Sequence, residues 1–158
     1  MAGRIPAALR ARLGDDATFG LIETLETERK EVSTQVLATA GTNIATILAG
    51  IRATGYSGAI VIVNYYSTDY SNLVLTQITS ALNQAISAPA PLFGAQVADV
   101  FSAFHAATQQ TGGRTCVAGL LNAKPGVNSL ACDAHPSQSG QKLIAQTVAT
   151  TVQARLAE

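Results

Sequence analysis

The hydrophobic positions of the chain follow two patterns, a helical period and an unbroken apolar run, which predict helices alternating with strands. Over residues 34–53, apolar side chains recur every three or four positions, the pattern of a helix packed on one side. A charge-rich helix is predicted before it, over residues 17–31. A glycine-containing stop follows at residues 55–58. The unbroken apolar run at residues 59–63 (AIVIV) is then typical of a strand buried in a parallel sheet.

The second half of the chain continues this alternation. The pattern predicts a helix over residues 73–88 ended by Pro89 and Pro91, a strand over 96–100, a helix over 101–110, an irregular segment over 111–136 and a last helix over 137–156. Strands that alternate with helices indicate an α/β fold with a parallel sheet and helices on both faces. Only two strands are clear, and two strands with open edges are marginally stable, so we expect another segment to complete the sheet.

Composition limits the classes of protein to consider. The chain has 158 residues, 47% of them hydrophobic, and its 10 basic and 10 acidic residues balance. A neutral chain without a basic cluster is not expected to bind nucleic acid. No run of about 18 apolar residues is evident, so no transmembrane helix is expected. We expect an irregular or short helical segment over residues 1–16, without the zones of a signal peptide, and one domain over residues 17–158.

The segment Asp133-Ala134-His135-Pro136-Ser137, with Gly140, carries the pattern most typical of chemistry. In an extended segment, Asp133 and His135 point to the same side, because successive side chains alternate. The carboxylate can then orient the imidazole, whose other nitrogen is free to take a proton from a nucleophile. Ser137 is suited to cap the following helix. The alternative is a helix-capping loop with two surface polar groups, and the spacing alone does not separate the two.

Cys116 and Cys132, the only two cysteines, flank a loop rich in Gly, Asn and Pro that leads into Asp133. We expect them to be bonded, which would stabilise the chain by about 3 kcal/mol through lost unfolded-state entropy. A disulfide implies an oxidising compartment, which conflicts with the missing signal peptide. The alternatives are two unpaired cysteines in a cytosolic protein, and a thiol-based redox protein. The redox interpretation is weak because the spacing is not Cys-x-x-Cys.

The loop after the first strand, Asn64-Tyr65-Tyr66, is a candidate to line a substrate, since ligands bind at the carboxyl ends of parallel strands. Tyrosines offer a flat apolar face with a polar tip for an acyl chain or an alcohol group. Tyrosines that merely cover the sheet edge would give the same pattern.

This order of blocks resembles the SGNH (GDSL-type) hydrolases, and more narrowly their secreted bacterial esterase and lipase branch. The resemblance runs from about residue 17 to the C-terminus and is most specific at Asp133, His135, Pro136 and Gly140. It implies a flavodoxin-like three-layer α/β/α sandwich that hydrolyses carboxylic esters without a metal or cofactor. It also implies His135 as the general base and Asp133 as its orienting acid.

The family's serine and oxyanion blocks are not found in this chain, so the nucleophile is unknown. Residues 41–43 (GTN) resemble the asparagine block but lie within a predicted helix, and we reject them. Ser57 stands between a helix and a strand, on the opposite edge from His135. Ser67 and Ser71 are on the correct side, although nothing local activates them. His105 is expected to be a packed or surface histidine.

Two functional hypotheses follow. The first is an SGNH ester hydrolase whose first part is missing, acting on a small-molecule or lipid ester and located outside the cell. The second is an inactive remnant of the fold that acts as a binding or interaction module. In both, a second copy of the chain or an N-terminal segment would complete the sheet.

Overall fold

A computed structural model describes residues 15–124 and 132–157 of the protein. Its elements, in chain order, are α1 (Asp15–Ala53), β1 (Ile60–Val63), α2 (Leu73–Ser87), a 3₁₀ turn (Ala90–Phe93), β2 (Ala95–Ala98), α3 (Val100–Ala107), a second 3₁₀ turn (Gln109–Thr111), β3 (Leu121–Ala123), β4 (Cys132–Pro136) and α4 (Gln138–Leu156). The described part is a mixed α/β structure that is mainly helical.

Helix α1 is one continuous helix of 39 residues, where two helices were predicted. No glycine or proline separates the predicted segments, and the Thr34 hydroxyl donates to the Lys30 carbonyl oxygen (2.8 Å) across their junction. By its internal contacts the chain divides into two units, Met1–Ala38 and Thr39–Glu158, with the division inside α1. The predicted segment 1–16 lies almost entirely outside the described residues.

The two predicted strands pair in parallel, as expected. β1 and β2 align residue by residue, from Ile60 opposite Ala95 to Val63 opposite Ala98. The second strand ends earlier than predicted, because Asp99 caps α3 and the helix begins at Val100. Strand β1 is therefore followed by the α2 crossover and by β2, the arrangement expected of a parallel α/β unit.

One hydrophobic cluster joins α1 to the sheet. Leu48, Ala90 and Ala95 form its buried centre. Partly buried residues packed against this centre are Ile44, Ile60, Ile62, Phe93 and Val97. At the end of α1, the Arg52 guanidinium donates to the carbonyl oxygens of residues 56, 58, 93 and 94 at 2.9 to 3.3 Å. The last turns of α1 are thus held against β1, β2 and the first 3₁₀ turn.

The second cluster lies among α3, α4 and the loops that follow the strands. Its buried residues are Tyr70, Val100, Phe104 and Leu120. Partly buried residues packed against them are Tyr66, Phe101, Ala118, Leu143 and Ile144. Helix α4 contacts α3 and both parallel strands. The C-terminal helix thereby connects the sheet to the segment that carries Asp133 and His135.

Residues 111–136 are not irregular throughout, contrary to prediction. β3 and β4 pair antiparallel, with Leu121 opposite Pro136 and Ala123 opposite Cys132. Their sequences, LNA and CDAHP, are too short and too polar to show the alternation by which a strand is detected. Asp133 and His135 consequently lie on a paired strand and not in a loop.

One described segment, Ser33–Ala53 within α1, is long and apolar enough by composition to cross a membrane. The expectation that no such segment exists is therefore too strong. A single segment of this kind is weak evidence, since helices of soluble proteins pass the same test. Here Leu48 is buried at 3% exposure and Arg52 is bonded to four carbonyl oxygens, so the end of the segment packs on the sheet.

The open edge of β1 leads to a prediction about assembly. In the described residues β1 pairs only with β2, and nearby apolar side chains are exposed: Val63 at 42%, Leu73 at 72% and Ile78 at 62%. Uncharged open edges favour pairing with another chain. We therefore expect the isolated chain to self-associate or to unfold with little cooperativity. A monodisperse monomer in sedimentation velocity, with a sharp unfolding transition, would contradict this.

Candidate functional site

Asp133 and His135 contact each other on β4. Oδ1 of Asp133 lies 3.3 Å from Nδ1 of His135 and accepts a hydrogen bond from the His135 backbone N–H at 2.8 Å. The His135 side chain is 80% exposed and that of Asp133 41%. The two side chains are thus in contact, and Nε2 of His135 makes no hydrogen bond within the described residues.

The corner between β4 and α4 holds this pair in place. Ser137 is the N-cap of α4, and its hydroxyl oxygen accepts from the Gly140 N–H (3.2 Å). The same hydroxyl donates to the Gly119 carbonyl oxygen at 2.6 Å, and the Ser137 backbone N–H donates to the Leu120 carbonyl oxygen at 2.9 Å. The predicted cap therefore also attaches the corner to the segment before β3.

The contact between the β4–α4 corner and the Leu120 backbone requires a glycine at position 140. A Cβ at this position would overlap the Leu120 carbonyl oxygen and lie 3.1 Å from Cβ of Pro136. Only glycine lets the first turn of α4 approach the Leu120 backbone this closely. The glycine in the Asp-x-His-Pro-Ser-x-x-Gly block thus has a steric cause.

The predicted disulfide is confirmed. Cys116 and Cys132 are bonded, with an S–S distance of 2.05 Å and a Cα–Cα distance of 5.7 Å. Cys132 is the first residue of β4, directly before Asp133. The bond therefore ties the strand that carries the pair to the turns that precede β3.

Tyr66 connects the loop after β1 to the strand that carries Asp133 and His135. Its hydroxyl donates to the Ala134 carbonyl oxygen at 2.6 Å, and its ring stacks on Phe104 with centroids 4.4 Å apart. Burial raises the pKa of the Tyr66 hydroxyl, with a smaller contribution from the Asp133 charge. Tyr66 is thereby a neutral donor that connects the carboxyl end of β1 to the Asp-x-His strand.

Tyr65 is exposed, but its backbone is held firmly. The buried Asn83 side chain of α2 accepts from the Tyr65 N–H (2.8 Å) and donates to the Tyr65 carbonyl oxygen (2.7 Å). Asn83 was not among the predicted site residues. A polar residue among the inward positions of an apolar helix, beside Leu82 and Ile86, was the available signal.

Asn64 is buried and has a structural task in this arrangement. Its amide donates to Oδ1 of Asp99 (2.9 Å) and accepts from the Phe101 N–H (3.0 Å), joining the end of β1 to the start of α3. Burial alone would raise the pKa of Asp99, but hydrogen bonds from Ser102 and Asn64 outweigh it and lower that pKa. An aspartate directly after a strand was the sequence signal for this cap.

Two of the serines considered as nucleophiles differ in access. Ser67 is fully buried, and its hydroxyl oxygen accepts from the Asp69 N–H at 3.3 Å. Ser71 is exposed, and its hydroxyl donates to Oδ1 of Asp69 at 2.6 Å. Within the described residues, no hydroxyl or thiol is hydrogen-bonded to His135. Of these two, only Ser71 is open to a substrate.

Ser57 lies far from the pair. It shares a small surface cavity with Arg155 and Leu156, at the end of α4. Helix α4 begins at Gln138, next to the pair, and has 19 residues. At a rise of about 1.5 Å per residue, its two ends are about 28 Å apart. This separation agrees with the prediction that Ser57 lies on the opposite edge of the sheet from His135.

A cleft of about 600 Å³ borders Asp133. It is lined by Thr68, Asp69, residues 114–117, Leu121, Lys124 and residues 132–134. Both half-cystines and two cations, Arg114 and Lys124, are in its wall. Among the described residues, no group of three or more His, Cys, Asp or Glu side chains could hold a metal ion.

Comparison with known proteins gives no assignment. No family model, no curated protein and no solved structure matches the chain.

Gly140 gives a direct test of the corner. We predict that Gly140→Ala lowers the free energy of unfolding by about 2 kcal/mol, because the added methyl group displaces the Leu120 backbone. Gly50→Ala is the matched control, since no atom lies within 4 Å of its added Cβ. That change, within a helix, should be neutral or stabilising by up to about 1 kcal/mol. If urea denaturation gave the same change in the free energy of unfolding for Gly140→Ala and Gly50→Ala, the steric explanation would be contradicted.

Asp99 gives a test by pH. Its folded-state pKa is lowered, so its charge contributes stability above the unfolded pKa of about 3.9, and this is lost as the pH falls through the folded pKa. We predict that wild type is more stable than Asp99→Asn at pH 7 and that the difference shrinks by pH 3. Urea denaturation at both values measures it. A difference that does not change with pH would rule out this contribution.

Proposed function

We propose that the chain is a carboxylic ester hydrolase of the SGNH (GDSL) type, with His135 as general base and Asp133 as its orienting acid. The contact between these two side chains, on a strand that leads into a capped helix, is the observation that carries the proposal. The position of Tyr66 against Ala134 supports it, because it brings the pair beside the carboxyl end of β1.

The geometry supports the following chemistry. Asp133, with Oδ1 at 3.3 Å from Nδ1 of His135, favours the tautomer that carries the proton on Nδ1, and Nε2 is then the basic nitrogen. Nε2 then removes a proton from the attacking water or hydroxyl group as its oxygen bonds to the ester carbonyl carbon. It returns that proton to the alcohol oxygen as the ester C–O bond breaks. Tyr65 is exposed, its backbone is bonded to Asn83 and it precedes Tyr66, so it is the candidate to contact the acyl or alcohol part of an ester.

The fold proposed for this function is a three-layer α/β/α sandwich. Residues of α1 pack against Ile60, Ile62 and Val97, which alternate along the strands, and α4 also contacts β1 and β2. Both observations support helices on two faces of the sheet. A further strand at the open edge of β1, from another segment or a second copy, would complete it.

We also propose an extracellular location. The Cys116–Cys132 bond is consistent with an oxidising compartment, where disulfides form and persist. The resemblance to the secreted esterase and lipase branch supports the same location.

The second candidate is a catalytically inactive remnant of this fold that binds a ligand or partner. It is favoured by one observation: in the described residues no hydroxyl group is hydrogen-bonded to His135. Without a nucleophile and oxyanion donors the acceleration would be small, since one missing oxyanion donor alone costs roughly 10²–10³ in rate.

Ester hydrolysis by point variants separates the two candidates. We predict slow turnover of p-nitrophenyl butyrate that is lost in His135→Ala and reduced in Asp133→Asn. Ser57→Ala should not change it. His105→Gln is the matched control for nonspecific imidazole reactivity, because His105 is also exposed but stacks on Tyr70 at 4.8 Å.

The outcomes are distinct. Turnover that does not depend on His135 would favour the binding module. Fast turnover that is lost in Ser71→Ala would identify Ser71 as the nucleophile, and the same result for the buried Ser67 would require the loop to open. Loss in Ser57→Ala would overturn the topology argument.

A further inference from the structure

We propose that the cleft beside Asp133 is an anion-binding subsite, in which Arg114 and Lys124 hold a carboxylate or phosphate group of the ligand. The binding site follows from the cleft itself. Its use for an acidic ester substrate rests on the hydrolase proposed above.

The cations in the cleft carry more N–H donors than the described residues use. Arg114 makes one described hydrogen bond, from Nε to the Thr111 carbonyl oxygen at 3.1 Å. Its four other N–H groups and the three of Lys124 have no partner among the described residues. Neither cation forms an ion pair within that part of the chain. The two side chains therefore offer free charged donors to an anion.

The two carboxylates in the wall already have donors. Oδ1 of Asp133 accepts from His135, as described above, and Oδ1 of Asp69 accepts from the Ser71 N–H (3.0 Å) and hydroxyl (2.6 Å). These bonds partly satisfy the negative charges within the protein. Within the described part of the chain, only Oδ2 of each carboxylate is left unused, against seven unused N–H groups on Arg114 and Lys124, so the unused groups favour a negatively charged ligand.

The disulfide and the hairpin hold the two cations in the same wall. Arg114 stands two residues before Cys116, and Lys124 follows Ala123, which pairs with Cys132. The bond between the half-cystines thus links the segments that carry both charges. A site whose backbone is held in this way loses less conformational entropy on binding.

The cleft is next to the proposed chemistry. Asp133 and Ala134 belong to its wall, and His135 is the following residue. An ester whose anionic group occupies the cleft would extend towards the imidazole. The expected substrates are esters with a second, acidic group, such as half-esters of dicarboxylic acids or phosphorylated esters.

Binding is measured without reference to catalysis. Amide chemical shifts of the oxidised protein are followed by NMR during titration with glutarate, inorganic phosphate and the neutral glutaramide, at constant ionic strength. We expect glutarate or phosphate to shift residues 114–117 and 132–134, and glutaramide to have no effect. The anion that binds more tightly distinguishes a carboxylate from a phosphate substrate.

Variants assign the binding to the two cations. Arg114→Gln and Lys124→Gln should each weaken binding about tenfold, since each removes a charged contact. Lys142→Gln, on the exposed face of α4 and outside the cleft, is the matched control and should bind like wild type. Arg114→Lys should restore part of the affinity. Circular dichroism checks that each variant is folded.

Three results would overturn the proposal: equal binding of glutaramide, no shift with either anion, or unchanged binding in the Arg114→Gln, Lys124→Gln double variant. Failure of the hydrolase proposal is recognised separately. Anion binding without His135-dependent hydrolysis would leave the subsite standing and remove the ester substrate. Hydrolysis that depends on His135, without anion binding, would leave the hydrolase proposal standing and remove the anion-binding subsite.

Discussion

The contact of the β4–α4 corner with the backbone at Gly119 and Leu120 is the constraint on which the candidate site depends. The Ser137 hydroxyl donates to the Gly119 carbonyl oxygen, and the Ser137 N–H donates to the Leu120 carbonyl oxygen. Gly140, which has no Cβ, leaves room for the Leu120 carbonyl oxygen. The Leu120 side chain lies in the core beside Phe104. The strand that carries Asp133 and His135 is therefore attached to the core through its last residues. The disulfide attaches the same strand at its first residue.

Polar side chains inside the α/β unit connect the loops at the carboxyl end of the sheet. Asn64 links β1 to α3, and Asn83 links α2 to the loop after β1. Thr115 is fully buried, and its hydroxyl donates to the Ser67 carbonyl oxygen at 2.9 Å. A buried polar group is costly unless it is bonded, so these hydrogen-bonded side chains favour one loop arrangement over others. The site is thus built on loops that have little freedom.

Tyr70 shows how this edge is joined to α3. Its hydroxyl accepts from the Ser67 N–H (3.1 Å) and donates to the Phe101 carbonyl oxygen (2.7 Å), while its backbone N–H donates to Gly113. Burial raises the pKa of this hydroxyl to about 12, so it stays a donor at any physiological pH. The loop after β1, helix α3 and the turn at Gly113 meet at this one residue.

The sequence by itself determined the parallel strand pair, the helices after each strand, the cap at Ser137 and the Cys116–Cys132 pairing. Each depends on local pattern or on a unique pair of residues, such as the β-branched run at residues 59–63. Only the tertiary structure decided the β3–β4 pairing, the contact of Tyr66 with Ala134 and the cleft that contains Arg114 and Lys124. Strands β3 and β4 are too short and too polar to show alternation, Tyr66 and Ala134 are 68 residues apart, and the hydrogen bonds and charges at such places leave no periodic signal in the sequence.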